Sequence, residues 1–61
     1  MTRDQAKRCA IICEAMAILH RQQADLDREM GIEQCAAEED RMAEHFDRLA
    51  ADVRSQACAT H

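Results

Sequence analysis

Sixty-one residues, a net charge of −4 and a hydrophobic share of 48% with only 2% aromatic residues allow one small domain at most. The acidic balance excludes the broadly basic surface that holds nucleic acid or anionic membrane. The longest nearly uncharged run, Cys9 to Leu19, contains Glu14 and is too short to span a bilayer. With no leader pattern to read, a cytoplasmic setting is expected.

The first element opens at Thr2 and Gln5, a T-x-x-Q capping box that predicts a helix over about 3–29. Within it Gln5, Cys9, Ile12, Met16, Leu19, Gln23, Leu26 and Met30 recur at alternating steps of three and four. Six of these eight are apolar, so this line is the predicted packing seam of the first arm. A second stripe, Ile11, Ala15 and Ile18, lies about 130° round the helix from that seam at the ~100° helical step. One stripe suffices for a two-helix hairpin, so the second marks a candidate protein interface. Ala10, Ala17 and Ala24 repeat every seven residues on the side away from the predicted seam. Lys7, Arg21 and Arg28 share a helical line that Glu14 interrupts, which reads as a solvated outer face.

Cys9, Cys13, Met16 and His20 form a row of soft and borderline ligands along one side of this arm. Thiolate and thioether donors suit Cu(I), and thiolate with imidazole suits zinc. A single CxxxC is weak evidence, and small thiols also fill helix seams. Packing is therefore the leading reading of the row, no cofactor is expected, and copper or zinc binding is the alternative. The spacing partly resembles the small-Tim chaperones, which carry twin CxxxC motifs, and the four-helix copper-storage proteins, which repeat the motif. Here Glu39 stands where a second motif from Cys35 would need its cysteine.

Gly31, in a chain without proline, divides the sequence into arms of nearly equal length. The first seam continued past it would run through Glu33, Ala37, Asp40, Glu44, Asp47, Ala51 and Arg54, a mostly charged line that could not be buried. A turn over about 30–32 is therefore predicted, with glycine as the left-handed cap of the first arm. A second helix follows over about 33–58, with a weak start because Ile32 supplies no capping side chain. Its predicted seam is Ile32, Cys35, Glu39, Met42, Phe46, Leu49, Val53 and Gln56. Beside it Ala36, Ala43, Ala50 and Ala57 repeat every seven residues, a small-residue stripe that would let another helix approach closely and a further candidate interface.

Folding the arms antiparallel about Gly31 brings Leu19 level with Met42, Met16 with Phe46 and Ile12 with Leu49. The two interior misfits, Gln23 and Glu39, then share one height as a candidate polar layer that fixes register. Catalysis finds no support. The chain has no phosphate-cradling glycine loop, no H-E-x-x-H and no Glu-x-x-His pair. The expectation is an all-α antiparallel two-helix hairpin that dimerises into a four-helix bundle. Its expected role is that of a small non-enzymatic interaction or regulatory module, a homo-oligomer with room for a protein partner. In shape and length this resembles the Rop-type bundle, a hairpin dimer that binds paired RNA loops. That resemblance leaves RNA binding as a further alternative, although the net charge makes nucleic acid an unfavoured partner.

Overall fold

The computed structural model describes residues 1–59. It contains two helices in contact, α1 over Arg3–Glu29 and α2 over Glu33–Ala59, folded as a hairpin. Thr2 caps α1 as its sequence requires. Its hydroxyl accepts from the Gln5 amide at 3.1 Å, while the Thr2 amide donates to the Gln5 side chain at 2.9 Å. The other end of α1 closes as a Schellman turn. Ile32 N–H reaches back to the Asp27 carbonyl at 2.8 Å and Gly31 N–H to Arg28 at 3.1 Å. This closure needs a left-handed residue, and Gly31 supplies it at φ 78°. Helix α2 begins without a polar cap, as expected from Ile32, whose carbonyl accepts the Ala36 amide at 3.1 Å.

The helices meet along lines that differ from the predicted seam. On α1 the buried positions are Ala6, Ala10, Cys13, Ala17, Ala24 and Asp27, with His20 half-buried between them. On α2 they are Ala36, Ala43, Ala50 and Val53, joined by the half-buried Glu39, Phe46 and Ala57. Both sets step by three and four, so each is a coiled-coil-like stripe in its own right. Ala10, Ala17, Ala24, Ala36 and Ala43 are wholly inaccessible.

The predicted first-arm seam is thereby corrected. Ile12 is 62% exposed and Leu19 58%, and Leu26 and Met30 are exposed as well. Of that line only Cys9 and Met16 are half-buried. The second-arm seam is correct at Glu39, Phe46 and Val53, whereas Ile32, Cys35, Met42 and Leu49 stand outside it. The cause is steric. Methyl side chains facing one another let two backbones approach closely, and the alanine levels of the seam, where Ala10, Ala17, Ala24, Ala36 and Ala43 have no accessible surface, leave no space for leucine or isoleucine. Among the described residues Val53 is the large aliphatic side chain that reaches the interior, and no large side chain is fully buried.

Candidate functional site

The alanine seam gives the hairpin two unlike flanks. At ~100° per residue, the Glu14, Arg21, Arg28 line of α1 and its Cys9, Met16, Gln23, Met30 line lie on opposite edges of the seam. On α2 the same relation separates Asp40, Asp47 and Arg54 from Cys35, Met42, Leu49 and Gln56.

On one flank the charged lines meet. Arg28 pairs with Asp40, Arg21 with Asp47, and Glu14 with Arg54. The basic line with its acidic interruption is therefore not a free outer face. Its order Glu, Arg, Arg along α1 meets the order Asp, Asp, Arg along α2 in reverse, so each of these three rungs joins opposite charges. Asp47 and Asp40 hold the guanidinium groups of Arg21 and Arg28 more firmly protonated than usual, chiefly through these hydrogen bonds. Each pair is partly solvated, so the ladder sets register and pairing more than it adds stability.

On the other flank the apolar lines meet. Met16 and Met30 are joined by Ile12, Leu19 and Leu26 one helical step outward, and across from them stand Ile32, Cys35, Met42 and Leu49. Apart from the half-buried Met16, these side chains are exposed. The result is an apolar strip running from the turn along most of the hairpin, whose Cα extents are 48 × 13 × 11 Å. Single exposed hydrophobic residues are ordinary, but a continuous strip of this kind marks an interaction surface.

The residues singled out from sequence divide among these surfaces. Ile11 and Ile18 are exposed, as is Ala15 between them, on the outer side of α1 next to the charged flank. Ala36, Ala43 and Ala50 are buried, with Ala57 half-buried, inside the hairpin's own interface. They are thus not a surface open to another chain, a correction that follows from the position of the seam. Gln23 and Glu39 form no shared layer. Gln23 is exposed and donates to Asp27 one turn along its own helix at 2.8 Å. Glu39 instead hydrogen-bonds His20 Nδ1 across the seam. The His20 ring also stacks on Phe46 with centroids 5.6 Å apart and planes 10° from parallel.

The cysteine row is likewise split. Cys13 is buried and Cys9 packs beside it against Ala6, Ala10, Ala50 and Val53. Burial raises the Cys13 pKa above its ordinary 9.0, and the hydrogen bond and charge of Cys9 push the same way. His20 turns to Glu39, and Met16 lies at the edge of the apolar flank. Among the described residues no three His, Cys, Asp or Glu side chains converge where they could hold a metal ion. No helix among them is long and apolar enough to cross a membrane.

The chain matches no protein-family model, no curated protein and no solved structure.

Proposed function

We propose that this chain is a small non-enzymatic interaction or regulatory module that acts through self-association and protein contacts, its hairpins pairing into a four-helix bundle. One observation carries the reading: the hairpin spends alanine on its interior and leaves nearly all of its large aliphatic side chains outside. Burial free energy scales with apolar area, at about 25 cal/mol per Å², and alanine offers little of it. A chain of this length needs more than an alanine seam to offset its conformational entropy, and association is the usual remedy. The role follows from the same surface. What the chain offers to its surroundings is an apolar strip and an ion-paired flank.

Sedimentation equilibrium between about 1 and 100 µM tests the reading, because mass action must populate an assembly as concentration rises. A mass of at least twice 6.9 kDa, with melting that moves up with concentration, is expected. A folded monomer throughout that range, melting at one temperature, would remove self-association from the function.

A further inference from the structure

We infer that the occupant of the apolar flank is a second copy of the same chain, seated flank to flank, with both ion-pair ladders facing outward. The inference rests on the proposed self-association and adds the surface, the partner and the point at which assembly stops.

Area supports it first. If every exposed part of the isoleucines, leucines and methionines on this flank were covered, at most roughly 700 Å² per chain would leave water, the scale of the ~800 Å² that each partner contributes to a standard interface. A single foreign helix would cover one groove, whereas an identical flank matches the whole width of two helices. Chemistry supports it next. The two inner lines of the strip, Cys9 to Met30 on α1 and Cys35 to Gln56 on α2, carry no charge, so two copies meet along them without burying an unpaired ion, and the exposed Glu38 and Asp52 one step outward on α2 fall at the hydrated rim. Gln23 lies within the strip, and one of its two amide N–H groups is already taken by Asp27 in its own helix.

Sidedness then limits the assembly. A flank that pairs with its own copy about a twofold axis is used up in one contact, so association closes at two hairpins. The opposite flank cannot extend the stack in the same way. Its side chains already pair across the hairpin through Glu14 with Arg54, Arg21 with Asp47 and Arg28 with Asp40. Ile11 and Ile18 stay outside the closed dimer.

Two native thiols report on this directly. Cys35 lies on the apolar flank and Cys58 on the outer side of α2, and both are exposed in the single hairpin. Iodoacetamide labelling of the reduced parent protein, read site by site by mass spectrometry, is run alongside sedimentation. The expected result is a dimer in which Cys35 labelling slows at least five-fold from about 1 to 100 µM while Cys58 labelling does not change. Leu19→Gln with Met42→Gln is expected to weaken the dimer at least ten-fold, and Ile11→Gln with Ile18→Gln to leave it within two-fold. A dimer in which Cys35 labels as fast as it does in the denatured chain, or one lost only in the Ile11/Ile18 variant, overturns this surface while self-association stands. A folded monomeric parent overturns both. If the Leu19/Met42 variant unfolds, the labelling of the parent still decides.

Discussion

His20 on α1 and Glu39 on α2 hydrogen-bond across the helix interface, a polar contact set among alanines, with the imidazole stacked on Phe46. Both side chains are about one-quarter exposed, so neither pays the full cost of burial, yet each loses its partner if the other is cut back. Removing one half leaves a poorly hydrated polar group, at a cost of about 1–3 kcal/mol. Glu39→Ala is therefore expected to lower stability in chemical denaturation by that amount. Replacing both residues with leucine is expected to restore or exceed parent stability while loosening register, seen as more than one species by native mass spectrometry. Equal stability of the parent and Glu39→Ala would mean the contact contributes nothing.

The seam itself is open to a steric test. Ala17 and Ala43 have no accessible surface, so a leucine at either position must push the helices apart. Overpacking of this kind costs about 1–3 kcal/mol or more. The same change at the exposed Ala15 is expected to be neutral within about 0.5 kcal/mol. Thermal denaturation of the three single variants at one concentration ranks them. A stabilising Ala43→Leu would place α2's packing line elsewhere.

The turn depends on backbone conformation and not on space. A Cβ at Gly31 would meet nothing within 4 Å, but φ is +78°. Gly31→Ala is expected to cost about 1–2 kcal/mol from the left-handed conformation alone. Gly31→Asn should cost less, because asparagine tolerates that region. Equal stability of all three proteins would contradict the Schellman closure.

Cys13 makes stability depend on pH. Its pKa is raised in the folded chain by burial and by Cys9, so the native state keeps this proton when the unfolded chain has lost it. Stability is then fully present below the ordinary thiol value of 9.0 and falls as pH rises from there through the folded pKa. Denaturation of the reduced protein between pH 7 and 10 is expected to show this decline, and Cys13→Ala should flatten it. A decline of equal slope in Cys13→Ala would assign the effect to other groups.

The hairpin was legible from a handful of residues. Thr2 with Gln5, Gly31 and the break in apolar phase after it locate both ends of α1 and the turn, because each is a local requirement of the backbone. The phase of the first-arm seam was not legible from hydrophobicity. Ranking Ile12, Leu19 and Leu26 above Ala10, Ala17 and Ala24 assumes that one interface takes the largest side chains. This hairpin reserves its closest contact for the smallest. On the second arm Phe46 and Val53 lie on the true seam, so the same ranking fell only partly outside it. The missing signal lay in the charges. Glu14, Arg21 and Arg28 against Arg54, Asp47 and Asp40 are complementary only when one order is reversed, as an antiparallel pair requires, and that complementarity places the seam beside them.

Intermolecular contact is the most direct test of the account. In an equal mixture of isotope-labelled and unlabelled chains, isotope-filtered nuclear Overhauser spectra separate contacts between copies from contacts within one. Intermolecular signals are expected at the methyl groups of Leu19, Leu26, Met42 and Leu49, and only intramolecular ones between the methyl groups of Ala17 and Ala43. Intermolecular signals at Ala17 and Ala43, with Leu19 and Met42 in contact inside one chain, would contradict the account.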